Sequence, residues 1–302
     1  SIHVKTITKA LGEIKTADVL HLNSLFNPLS FISFFYTKLF YPNKKIVWSV
    51  RGELSPGALK FSRWKKKPLL FLYKKLCDKV VFHSTSLEET NHIKKRFPEN
   101  KVVFIPNLIQ PSQRIGVPKE KKILYVGRIH PIKALHKLLK ALHLSDLFKN
   151  SEFTFEIVGT YEERHRYYFD ELNQLISKYK LEKKVFFKGH ITGEAKEKKY
   201  AEAYFLVLPS ETENFGNVVV EALNQGTPVI ASKGTPWKIL EEHQAGFHTE
   251  NIPAVMSKKI DKVLNISETT HKKFSKNAIR LVDENFNVDT QIHQWIDCYK
   301  DL

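Results

Sequence analysis

Short apolar runs alternate with longer amphipathic stretches over most of the chain. The strand-like runs are residues 18–22, 46–50, 80–83, 102–105, 123–126, 154–158, 185–188, 205–208 and 229–231. Most are separated by amphipathic stretches of about 10 to 20 residues, a length that suits helices. This alternation predicts βαβ units and parallel sheets. Residues 2–15 read as a helix instead of a strand. Residues 106–120 hold three prolines and one glycine, with no apolar period, and read as a linker. The second part, 116–302, carries five strand signals, enough for a doubly wound domain. The first part, 1–115, carries four, so it reads as an incomplete, N-terminally shortened domain.

The length of 302 residues agrees with two domains. With 42% apolar and 26% charged residues, wholesale disorder and fibrous repeats are excluded. The longest apolar-rich stretch, 25–41, is broken by Asn27, Pro28, Ser30, Ser33, Thr37 and Lys38, too polar to span a bilayer. The opening residues show no signal-peptide pattern. Cys77 and Cys298 have no metal-ligand spacing, so a reducing cytosol is expected. Charge sharpens the picture. The net +16 divides into +13 over residues 1–115 and +3 over 116–302, so the first half faces something anionic. Its densest part, 60–79, has Lys60, Arg63, Lys65, Lys66, Lys67, Lys74, Lys75 and Lys79 against Asp78, with Phe61, Trp64, Phe71 and Tyr73 interleaved. An anionic membrane surface attracts such a segment, and a solvated helix face is the plainer alternative. Pro68 is expected to split it into two helices. No helix-turn-helix, zinc-finger or RNP pattern supports nucleic acid as the partner.

Two segments carry candidate chemistry. Residues 205–223 read as a strand, a polar loop and a helix starting near Phe215. Ligands of parallel sheets sit at the carboxyl ends of strands, and a helix N-terminus there offers N–H groups. Phe215, Gly216 and Asn217 would supply them, with Gly216 allowing close approach. Glu213 suits sugar hydroxyls and Glu221 a ribose; alternatively Glu213 caps the helix and Glu221 is a surface residue. In 123–135 a strand ends at Gly127, and Arg128 and Lys133 follow in the turn. Two cations there suit a diphosphate, or are simply solvated. No Walker A loop and no complete G-x-G-x-x-G occurs.

Together these segments resemble the retaining glycosyltransferases of family 4. The carrying pattern is G-R-x-x-x-x-K at Gly127, Arg128 and Lys133, then S-x-x-E-x-F-G-x-x-x-x-E-A from Ser210 to Ala222. Between them lie I-V-G, ending at Gly159, and F-x-G-x-I, ending at Ile191. The resemblance implies a GT-B fold, two Rossmann-like α/β domains with parallel sheets facing across a cleft. It implies domains at 1–115 and 116–284, and a helix over 285–302 crossing back to the first domain. Arg128 and Lys133 would then stabilise the departing nucleotide diphosphate, and Glu213 would contact the transferred sugar. Gly127, Phe215, Gly216, Asn217 and Glu221 would bind the donor, with Gly159 and Ile191 near ribose and base. On the acceptor side, His21 and Asn23 stand where the family has D-V-x-H-x-H, and Arg51 lies in an R-G-x-L-S-P-G loop. Arg51 instead pairs with Glu53 if its role is local. No metal, no cofactor and no covalent nucleophile is expected; the donor would be UDP- or GDP-linked. The family's glycine-rich loop after its first strand is absent from this chain.

The expected activity is therefore transfer of a sugar to a glycan or lipid-linked acceptor in envelope polysaccharide synthesis, at the cytoplasmic face of the inner membrane. Two rivals share the donor pocket: a nucleotide-sugar epimerase, which needs no acceptor, and a non-catalytic sugar-nucleotide-binding module.

Overall fold

The computed structural model describes residues 4–60 and 63–302. Phe61 of the basic stretch lies outside the described residues, as do the side chains of Arg63 and Lys65. The chain forms two compact units, Ser1–Asn107 with Ile292–Leu302, and Leu108–Gln291.

The first unit runs α1 (Val4–Thr16), β1 (Val19–Asn23), α2 (Pro28–Phe40), β2 (Lys45–Ser49), α3 (Pro56–Lys60), α4 (Arg63–Leu76), β3 (Val80–Ser84), α5 (Leu87–Arg96) and β4 (Val102–Phe104). The strands pair in sequence order, all parallel. Their inward residues Ile46, Trp48 and Phe82 pack with Phe34 of α2 and Tyr73 of α4. Two of these buried aromatics keep their polar ends paired: Trp48 Nε1 donates to Ser24 O (3.1 Å) and Tyr73 Oη to Leu25 O (2.8 Å). Asn27 caps α2 by accepting from Leu29 N (2.8 Å), and Pro28 at the first position fixes the helical φ. Among the described residues no strand pairs with the outer edge of β1. Helix α4 continues through Pro68, against expectation. Leu70, Tyr73 and the following Cys77 are buried in the core, which holds the segment beyond the proline in line.

The second unit runs β5 (Glu120–Val126), α6 (Leu135–Leu144), α7 (Asp146–Asn150), β6 (Thr154–Val158), α8 (Arg166–Lys178), β7 (Val185–Gly189), α9 (Gly193–Glu202), β8 (Ala203–Leu208), α10 (Asn217–Asn224), β9 (Val229–Ser232), α11 (Ile239–Glu242), β10 (Gly246–Thr249), α12 (Pro253–Leu264), α13 (Glu268–Asn285) and α14 (Val288–Gln291). Its parallel strands are ordered β10-β9-β8-β5-β6-β7. That is the doubly wound order, with the chain reversing direction between β5 and β8. Apolar side chains cover both faces, Leu135, Leu138 and Tyr168 on one and Val219, Val220 and Leu281 on the other. Strand β10 has no counterpart in the sequence pattern: Gly-Phe-His-Thr is short and only its Phe247 is strongly apolar.

The division falls at Asn107/Leu108 and Gln291/Ile292, not at the expected 115/116 and 284/285. Residues 108–115 are bound to the second unit. Ile109 N donates to Phe286 O (2.8 Å), Ile115 N to Gln225 Oε1 (2.9 Å), and Arg114 pairs with Asp283. At the other end Val288 N donates back to Ile109 O (2.9 Å), which keeps α14 with that unit. The single helix expected over 285–302 is therefore broken, and only α15 (His293–Lys300) and its flanks belong to the first unit.

Candidate functional site

The carboxyl ends of β5 and β8 flank the switch point, and the loops that leave them carry Arg128, Lys133 and Glu213. After β5, Gly127 and Arg128 lead to a 3₁₀ turn, Pro131–Lys133, capped by His130 Nδ1 accepting from Ile132 N (3.1 Å). Ala134, in the left-handed region at φ 52°, ends the turn. Glu211 N donates to Ile132 O (2.8 Å), tying this turn to the loop after β8. Across that tie Lys133 Nζ forms an ion pair with Glu213, whose Oε1 also accepts from Ser210 Oγ (2.8 Å). Both charged side chains are mostly buried, 17% and 13% exposed. Glu213 is therefore not a helix cap; it is a carboxylate held beside a cation, with both side chains largely shielded from solvent.

Helix α10 begins at Asn217, two residues later than expected, with Gly216 as its N-cap in the left-handed region (φ 86°). Phe215 is an anchor: its ring packs on Trp237 and Phe286, and its carbonyl accepts from Trp237 Nε1 (2.5 Å). Gly216 and Asn217 stay at the positive end of the helix.

Gly127 and Gly159 are a matched pair. Gly127 N donates to Val158 O (3.0 Å) and Gly159 N to Gly189 O (2.7 Å), so the ends of β5, β6 and β7 are stitched by backbone alone. Gly159 has φ 144°, and a Cβ on it would lie 1.9 Å from Gly127 O. The buried Tyr125 Oη donates to Arg128 O (2.8 Å), fixing the turn. Ile191 is half-buried against the cluster below.

Arg128 is 65% exposed and paired with Glu162 (3.1 Å), which Arg164 also contacts (2.6 Å). Each expected diphosphate cation thus already has its own carboxylate. Glu221, on α10, accepts from Tyr200 Oη (2.6 Å) and pairs with Lys196 (3.1 Å), both on α9. Burial, then the Glu221 charge, pushes the Tyr200 phenol well up, so it stays a donor. Sequence reading missed Lys196, Tyr200 and Tyr125; Tyr125 and Tyr200 differ from ordinary core tyrosines only in where their hydroxyls end.

In the first unit, Arg51 sits in the left-handed region (φ 59°) and donates to Asn23 Oδ1 (3.0 Å) and Asn107 Oδ1 (2.8 Å). Glu53, its suggested partner, instead accepts from Ser24 Oγ (2.6 Å), Leu25 N (2.5 Å) and Phe26 N (3.1 Å). His21 joins a chain with one polarity. Ile105 O can only accept, so His83 Nε2–H donates to it (2.8 Å) and His83 Nδ1 accepts from Ser49 Oγ (2.7 Å). Ser49 Oγ then accepts from His21 Nε2–H (2.7 Å), and His21 Nδ1 from Tyr299 Oη (2.7 Å).

Burial first, and then the Arg51 charge, holds His21 down at about 4. His83 is also lowered to about 4, by burial first, with Arg51 and His21 adding to it. Unfolded histidine titrates near about 6.5. The unfolded chain therefore binds more protons between these values, and this contribution to stability is whole above about 6.5 and lost as pH falls toward 4. Melting temperature is expected to drop across that window, and to drop less in His21→Gln; equal slopes would take His21 out of the account.

Residues 110–281 match the family model "Glycosyl transferases group 1". An uncharacterised glycosyltransferase of Haemophilus influenzae is 28% identical over 224 residues, 72% of this chain and 60% of the relative. A 41.2 kDa protein of a Klebsiella pneumoniae cps region is 27% identical over 234 residues, 71% of this chain and 60% of the relative. The chain thus spans about 60% of the length of these curated relatives. Among solved structures, Anabaena HepE in complex with UDP and glucose superposes with a TM-score of 0.81 at 20% identity, covering 99% of this chain and 82% of that one. The fold is therefore that of the GT-B enzymes.

Proposed function

Because the chain belongs to the group 1 glycosyl transferases, we propose that it moves a hexose from a UDP- or GDP-linked donor, with retention and without a metal, to a glycan or lipid-linked acceptor of envelope polysaccharide. The observation that carries the reading is the Lys133–Glu213 pair, held by Ser210 at the switch point between β5 and β8. Departure of the nucleotide builds negative charge on its phosphate. Lys133 and Arg128 stabilise that charge, and exclusion of water at the mostly buried Lys133–Glu213 pair strengthens the effect of Lys133. Glu213 accepts hydrogen bonds from the sugar being transferred. Gly127 and Gly159 leave the strand ends bare of side chains, which admits a ribose and base. Glu221, oriented by Tyr200 and Lys196, takes the ribose hydroxyls.

A thermal-shift screen of nucleotide sugars tests this, since a ligand at 100 times its dissociation constant adds about 2.7 kcal/mol. Glu221→Ala is expected to weaken the selected nucleoside diphosphate by about 1.5–3 kcal/mol, the worth of a hydrogen bond to a charged acceptor. Equal affinity for wild type and variant would sink the ribose assignment. Turnover is expected to survive chelation by EDTA.

For the acceptor we place the work at the inner face of the membrane. The +13 of residues 1–115 supports this, together with Trp64 and Phe71 exposed on the basic helix α4. No described helix is long and apolar enough to cross a bilayer. Co-sedimentation with anionic but not neutral vesicles, lost as salt shortens the Debye length from about 10 Å to about 3 Å, is the expected result. A protein that stays in the supernatant with both would point to a soluble anionic acceptor.

A further inference from the structure

The first unit holds a cleft of about 340 Å³ at the meeting of α3, α4 and the end of α5. Four cations line it: Lys60, Lys66, Lys67 and, some thirty positions on, Arg96. Among the described residues no carboxylate does. Pro56, Leu59 and Leu70 complete the wall. Lys66 is already committed, its Nζ donating to Ala58 O (2.7 Å) and lying over the Phe26 ring. Lys60, Lys67 and Arg96 have no acidic partner among the described residues. Like charges gathered from three elements repel, and an anion removes that repulsion.

The surroundings say what kind of anion. Trp64 and Phe71, seven residues apart, share the outward face of α4 and are 74% and 63% exposed. Lys67 stands only about 60° round the helix from Trp64. One edge of the cleft is thus cationic and the next is apolar and aromatic.

We propose that this cleft binds the phosphate headgroup of an amphiphile, the phosphate against Lys60, Lys67 and Arg96 and the apolar chain along Pro56 and Leu59 toward the aromatic face. The cleft lies in the first unit, on residues other than those assigned to the donor, and does not rest on those assignments. It also differs from a diffuse attraction to anionic lipid, in which every lysine of α4 counts alike.

The test is a calorimetric titration of the full chain with dihexanoyl phosphatidic acid below its micelle concentration, beside inorganic phosphate. Saturable one-to-one binding is expected, tighter for the lipid. Lys67→Ala and Arg96→Ala, both at exposed positions, should each weaken it about tenfold without changing the melting temperature. Lys74→Ala/Lys79→Ala, at the end of α4 and just beyond it but outside the cleft, should change it by less than about twofold. Absence of saturable binding overturns the proposal. So does an equal loss in the Lys74/Lys79 double variant, which means a diffuse field, or inorganic phosphate binding as tightly as the lipid, which means that the apolar wall has no part.

Discussion

Lys133→Ala is expected to lower kcat by about 10²–10³-fold, the scale on which enzymes lose a fixed group that stabilises developing charge. Nucleotide affinity should fall far less, because the cation matters most once the phosphate begins to leave. Glu213→Ala should also reduce turnover, by removing the sugar's acceptor and by leaving Lys133 without its partner. The two side chains are in contact and mostly buried, so their losses should not add. In Lys133→Ala the remaining carboxylate has no counter-charge, whereas the double variant removes both charges at once. A double-variant cycle on kcat and on melting temperature checks this. Additive losses in kcat would mean that the pair is not the unit that works on the donor.

That pair marks the limit of what the sequence could say. The motifs located Arg128, Lys133, Glu213 and Glu221 on the loops and helix that follow β5 and β8, because strand patterns and glycine positions fix topology locally. Which charges meet is a long-range matter. Lys133 and Glu213 are eighty positions apart, and nothing in their spacing shows that the tie from Glu211 N to Ile132 O will bring them together. Arg128 pairing with Glu162, and Glu221 with Tyr200, were hidden for the same reason. The boundary at residue 107 was missed because composition marks irregular chain but not what that chain adheres to; 108–115 is irregular and still bound to the second unit. Strand β10 escaped because a strand paired on one side only can be short and weakly apolar. The nine other strands among the described residues were legible from their apolar runs, with ends shifted by up to three residues.

Gly159→Ala should remove donor binding altogether while every charged residue of the site remains. The new methyl would sit 1.9 Å from Gly127 O, inside any van der Waals contact, and the backbone there has φ 144°, a region that side chains rarely enter. Relief requires the β5 and β6 ends to separate, which breaks Gly127 N to Val158 O. Strain at such a position costs about 1–3 kcal/mol, and the lost backbone bond adds about 1 kcal/mol. The Arg128 turn moves with Gly127, since Tyr125 Oη holds it from beneath. A melting temperature lowered by several degrees, with no thermal shift on adding the nucleotide sugar that stabilises wild type, is the expected pair of readings. Gly116→Ala serves as the control, since a Cβ there meets nothing within 4 Å. If Gly159→Ala binds donor as wild type does, the glycine pair is a device of the fold alone, and the donor lies elsewhere along the strand ends.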